Sequence, residues 1–184
     1  MHAAKLLFEQ TWRLRDVETL HDNVFWRGAV PRISICVPTL RHDVTPLLEG
    51  LSKCAGTEAI EVIVYDDGSR DHDLLARMEA SAGKTLAAVR IVSAQKNRGR
   101  AAARNAAVAH ARADWILMVD ADMTPDTPVF IEAYLDAIDR AAGPAIVVGG
   151  YSLLSAPTDR AYALHRWQAR MSECIPASQR SEAP

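Results

Sequence analysis

Trp115-Ile116-Leu117-Met118-Val119-Asp120-Ala121-Asp122-Met123-Thr124-Pro125 is an apolar run closed by two acids and a Thr-Pro turn signal. A run of this length predicts a short strand covered on both faces, as in a parallel sheet. Asp120 and Asp122 stand at i and i+2, so at a strand end both side chains leave from one rim, with the small Ala121 between them. Such a pair suits a hard divalent cation bound through oxygen, and the cation can then hold a phosphate. In open α/β sheets ligands gather beyond the carboxyl ends of the strands, where this pair would stand. Two solvated acids in a turn fit the same letters, because Asp is a common turn residue.

Further strands are predicted at Ile33–Val37, closed by Pro38, at Glu61–Tyr65, at Val89–Val92 and at Ala145–Val148 before Gly149-Gly150. Helices are predicted between them, over Val44–Ala55, His72–Ala82, Arg100–Arg112 and Pro128–Ala142. Alternation on this scale implies βαβ units: an α/β fold with a doubly wound, mostly parallel sheet whose strand ends share one rim. Residues 1–30 read as an N-terminal arm, helical to about Leu20, with Ala4, Leu7, Phe8, Trp12 and Leu14 at helical spacing. Residues 31–155 form the α/β domain and residues 156–184 a helix and tail.

Composition narrows the function. The chain has 184 residues, is 49% hydrophobic and 24% charged, and carries a net charge of −2, which excludes the basic footprint of a nucleic-acid binder. No apolar run is long enough for a transmembrane segment. Three cysteines without metal-type spacing, and no secretory leader, set a cytoplasmic location as the expectation.

The first four of the five predicted strand ends each carry a polar cluster. Pro38-Thr39-Leu40-Arg41 follows the first, and Asp66-Asp67-Gly68-Ser69 the second, with Ser69 or Asp71 placed to cap the next helix. Asn97-Arg98-Gly99-Arg100-Ala101-Ala102-Ala103-Arg104-Asn105 follows the third. Asn97 is placed to cap that helix, Gly99 allows close backbone approach, and the alanines let the helix lie near the sheet with its anion-attracting N-terminus at the rim. Arg100 and Arg104 share a helix face and offer forked donors to a phosphate or a base carbonyl if that face meets the rim. They are ordinary surface arginines if it meets water. Asp66 and Asp67 suit an imide N–H or ribose hydroxyls.

Together, VPTLR, YDDGS, NRGRAAARNAA and MVDADMTP resemble the nucleotide-binding half of a family 2 glycosyltransferase with the GT-A fold, over about residues 32–155. The resemblance implies that Pro38 and Thr39 line a nucleoside pocket and that Asp67 reads the base. It places Arg104 near the base or diphosphate and Asp120 near the ribose, with Asp122 holding Mn²⁺ or Mg²⁺ on a nucleoside-diphosphate sugar. Arg41, Asp66, Asn97, Gly99, Arg100 and Ala121 complete the expected donor site. The family transfers the sugar with inversion to an acceptor, here open among saccharide, lipid and small molecule.

One departure follows. Family members place a catalytic base well past the paired acids, usually in a Glu-Asp-like motif, and none is found after Asp122. Asp159, Glu173 and Glu182 are lone acids. The chain is thus expected to be a donor-binding half that stops where an acceptor half begins, to catalyse transfer slowly or not at all alone, and to self-associate through apolar surface around Trp167 and Met171. A non-catalytic nucleotide-sugar-binding module is the alternative. Asp120-Ala121-Asp122-Met123-Thr124 also fits the haloacid dehalogenase phosphatase pattern, but that family carries it on the first strand with a lysine downstream, and no lysine follows Lys96 here.

Overall fold

The computed structural model describes residues 17–154, 156–175 and 179. The chain divides into two compact units that part between Leu135 and Asp136.

The first unit is built on a five-stranded sheet. Its strands are β1 (Glu18–Asp22), β2 (Ile33–Thr39), β3 (Ile60–Asp66), β4 (Ala88–Ala94) and β5 (Trp115–Met118), in the order β1-β4-β3-β2-β5. The helices between them are α1 (Thr45–Leu51), α2 (His72–Ala82) and α3 (Arg100–Ala109), and α4 (Phe130–Arg140) follows β5. β2, β3 and β4 are consecutive and parallel, and β5 then pairs parallel to the other side of β2. The strand order therefore reverses between β2 and β5, and the rim above them is where ligands bind in such sheets.

Both faces of the central strands are covered, which is why β2 and β3 are apolar almost throughout. On one face Cys36, Ile63, Tyr65 and Val92 pack with Trp26 and with Ala103, Ala106 and Ala107 of α3. Those small side chains let α3 lie close to the sheet. The alternate residues Ile35, Val37, Val62, Val64 and Ile91 are buried on the opposite face, the side of Leu47, Leu48 and Leu51 from α1 and Leu74 and Met78 from α2. All three cysteines are free, and burial pushes the Cys36 thiol up to about 12.

Three expectations are corrected. The predicted N-terminal helix lies mostly outside the described residues, but its last stretch is strand β1, antiparallel to β4. Long-range ion pairs hold it there. Glu18 accepts from Tyr65 Oη at 2.9 Å and pairs with His110 at 3.0 Å, while Arg90 grips Asp22 with two nitrogens at 2.7 and 2.8 Å. The hydrogen bond from His110 holds the Glu18 carboxyl below the usual range. The Trp115 run is not covered on both faces: among the described residues β5 is an edge strand and leaves Ile116 and Met118 exposed. The predicted strand at Ala145–Val148 does not form, and Ile146 is 93% exposed.

The second unit carries a 3₁₀ turn at Arg160–Tyr162 and helix α5 (Ala163–Ser172), which exposes Leu164, Trp167 and Met171. No helix among the described residues is long and apolar enough to cross a membrane.

Candidate functional site

A cleft of about 320 Å³ opens at the rim where the strand order reverses. Pro38, Thr39 and Leu40 line it from the end of β2, Asp67 from the end of β3, and Asp120, Ala121 and Asp122 from beyond β5. Asn97, Gly99, Arg100 and Ala103 complete it from the loop before α3 and its first turn. Clusters separated widely in the chain thus meet in one place. Leu40 and Ala103 were not singled out in the sequence, although Ala103 lies one turn from Arg100 on the same helix.

The backbone that shapes the cleft is tied together by Asp67. Its N–H donates to the Thr39 carbonyl at 2.9 Å, joining the ends of β2 and β3. Its carboxylate accepts from the N–H groups of Arg98 at 2.9 Å and Gly99 at 2.8 Å, fixing the loop that enters α3. Each oxygen keeps a lone pair for a ligand donor. Gly99 has φ 92°, a conformation that favours glycine, and is the N-cap of α3 without a side-chain cap bond. The expected cap, Asn97, instead accepts from Gly99 N–H at 3.0 Å.

The adjacent acid does different work. Asp66 is buried and accepts from the N–H and hydroxyl of Ser69 and from Ser93 Oγ at 3.3 Å, closing the turn rather than facing the cleft. Asp71, of the two candidates, caps α2 by accepting from Leu74 N–H at 2.9 Å. Arg41 turns away, with φ 54° and its N–H donating to Ser69 Oγ at 2.7 Å, into a separate depression with Arg70 and His72.

The turn after Asp67 supports a prediction. Gly68 has φ 82°, and a Cβ there would lie 2.6 Å from the backbone of Lys96 and Asn97. Gly68→Ala combines left-handed strain with overpacking against backbone and is expected to cost about 2–4 kcal/mol. Thermal melting should show a midpoint roughly 4–16 °C lower. An unchanged midpoint would mean that the 96–97 loop is not packed on this turn.

Arg100, which lines the cleft, and Arg104, which stands behind the lining, both meet Asp120. Arg100 Nη2 lies 2.9 Å from one carboxylate oxygen and Arg104 Nη2 2.7 Å from the other. The face they share therefore points to the rim. Partial burial raises the Asp120 pKa, but hydrogen bonds from Arg104 and Arg100 together with their charges outweigh it, and the carboxyl is held below its ordinary value. With both oxygens so engaged, Asp120 is not disposed as the attacking nucleophile the phosphatase pattern requires. Asp122 is exposed, lines the cleft and has no polar partner among the described residues. Among the described residues no three His, Cys, Asp or Glu side chains gather to hold a metal ion. A cation at this rim would need most of its ligands from a bound anion and water, as Mg²⁺ beside phosphates does.

A profile of the family described as Glycosyl transferase family 2 matches residues 34–174. Among solved structures, residues 1–349 of S. aureus TarS align at 23% identity and a TM-score of 0.52, over 67% of this chain and 42% of that one. The mannosyltransferase PcManGT from Pyrobaculum calidifontis, solved with GDP-Man and Mn²⁺, aligns at 23% identity and a TM-score of 0.51, over 78% of this chain and 41% of that one. Both share the fold, and the chain spans about two fifths of the length of each. No protein of curated function matches the sequence.

Proposed function

Glycosyl transferase family 2 is the family to which this chain belongs, and from that membership we propose that the cleft binds a nucleoside-diphosphate sugar with a divalent cation, as the donor for inverting transfer. One observation carries the reading. Polar groups from four strand ends converge on one cleft at the point where the sheet order reverses, and they divide into donors suited to a diphosphate and acids suited to a nucleoside and a cation.

The geometry supports the following roles. Pro38, Thr39 and Leu40 form the wall against which the nucleoside lies. Asp67, rigidly held by backbone N–H groups, presents its remaining lone pairs to a donor on the base or ribose. Arg100 and Arg104 address the diphosphate beside the uncapped N-terminus of α3. Asp122, rather than Asp120, holds Mn²⁺ or Mg²⁺, because its carboxylate is the one with no partner. A cation bound there would supply positive charge to the departing diphosphate. Asp66 and Arg41 are assigned no direct contact. The mannosyltransferase bound to GDP-Man and Mn²⁺ supports the ligand class.

Calorimetry with UDP and GDP, each with and without Mn²⁺, tests the reading. Saturable binding of at least one nucleotide, strengthened by Mn²⁺, is expected. Folded protein that binds neither nucleotide under either condition overturns it.

A further inference from the structure

Arg100 and Arg104 reach Asp120 from another element, and Arg100 and Asp120 line the cleft that the proposed function fills with a diphosphate. The match is incomplete. Each guanidinium gives one terminal nitrogen to one carboxylate oxygen, and the buried Nε of Arg104 has no hydrogen-bond partner. Arg90 and Asp22 in the same domain show a filled fork, with Nε and Nη2 both bonded to the two carboxylate oxygens. A guanidinium presents five donors in a planar fork, and one carboxylate divided between two forks satisfies neither.

From this contrast we infer that Asp120 is an internal counter-ion that occupies Arg100 and Arg104 until the diphosphate of the ligand displaces it. The inference rests on the nucleotide-sugar reading and adds a mechanism of selectivity to it. Asp120 stands in for the anion, keeps both arginines oriented while no ligand is bound, and makes binding a competition. Asp67, Asp120 and Asp122 all line the cleft, and the neutral N–H groups from which Asp67 accepts leave its charge in place. Two guanidinium groups then face three carboxylates, and a bare diphosphate meets no net attraction. A cation at Asp122 shifts the balance towards the anion. The two acids of the motif therefore act in opposite senses: Asp122 favours the ligand through the cation, and Asp120 opposes it in the cation's absence.

The test compares the wild-type chain with Asp120→Asn by calorimetry, using UDP, GDP and inorganic pyrophosphate, in EDTA and in Mn²⁺. Asp120→Asn removes the competing charge, so metal-free affinity for these anions should rise about tenfold, the weight of one charge-assisted hydrogen bond. Affinity equal to or weaker than wild type in EDTA, with wild type still binding in Mn²⁺, overturns the counter-ion role and leaves the nucleotide-sugar reading standing. Wild type that binds no nucleotide even with Mn²⁺ is the separate result that removes that reading.

Arg100→Ala provides a second arm that does not depend on Asp120→Asn folding, because the Arg100 side chain is 71% exposed. If Arg100 is occupied by Asp120 until ligand and cation arrive, its loss should weaken Mn²⁺-supported binding by about tenfold and metal-free binding by less than about twofold. Equal losses under both conditions overturn the inference.

Discussion

Replacing Glu61 by alanine is expected to destabilise the fold by about 3–5 kcal/mol, the sum of a cavity in the core and buried donors left without an acceptor. Glu61 is fully buried in β3, at the opposite end of that strand from Asp66. One of its oxygens accepts from Ser34 Oγ and Arg112 N–H, both at 2.6 Å, and the other from Arg112 Nε at 2.6 Å. Ser34 Oγ in turn accepts from Ala113 N–H at 3.0 Å. One carboxylate thus joins β3, β2 and the turn that delivers β5. Arg112 is also stacked 4.0 Å from the Trp26 ring, so its displacement would uncover the core beneath α3. Alanine leaves buried donors without acceptors as well as a cavity. Glu61→Gln keeps the volume and one acceptor and should cost less. Urea unfolding of the three proteins decides it. Three coincident midpoints would show that Glu61 contributes nothing to stability.

The second large effect concerns ligand rather than fold. Asp122→Ala should abolish the gain in nucleotide affinity on adding Mn²⁺. The loss should be on the order of 100-fold or more, because partners outside the metal's own ligand shell already cost about 10–100-fold. Stability should change by less than about 0.5 kcal/mol, since the side chain is exposed and unpartnered. Paired titrations with and without Mn²⁺, and a thermal melt, measure both. A variant that retains the full Mn²⁺ effect would move the cation to other residues. Asp120→Asn, by contrast, should change metal-free affinity, so the two acids are separable in one set of experiments.

These outcomes bear on how far the letters alone reach. The α/β alternation, the mostly parallel sheet and the family were legible, because β2, β3 and β4 are buried apolar runs and α3 announces itself through alanines at its sheet face. The failures came where pairing decides. Ala145–Val148 has strand composition, yet no strand lies beside it among the described residues, and strand propensity without a partner does not fix a strand. Glu18–Asp22 has only Leu20 as an apolar residue and forms a strand because Tyr65, His110 and Arg90 wait for its charges far away in the chain. No local pattern records that. The acid pairs were visible, but the division of labour within each was not. Asp66 and Asp67 differ by one strand register, which turns one carboxylate into the turn and the other to the cleft. Asp120 and Asp122 are told apart only by which one the arginines reach.

The position of β5 also sets an order of assembly. β2 pairs with β3 and β3 with β4, each its immediate successor in the chain, so three strand ends and their loops can meet through short loop closures. β5 joins only after α3 has crossed back, and the bond from Ala113 to Ser34 that seats it spans 79 residues. Closing a longer loop has a larger entropic cost and is slower, so contact order places this step after those two pairings. Pro38, Thr39 and the arginine-bearing helix would then be in place before Asp120 and Asp122, and a nascent domain would present Arg100 and Arg104 before it presents the carboxylate that pairs with them.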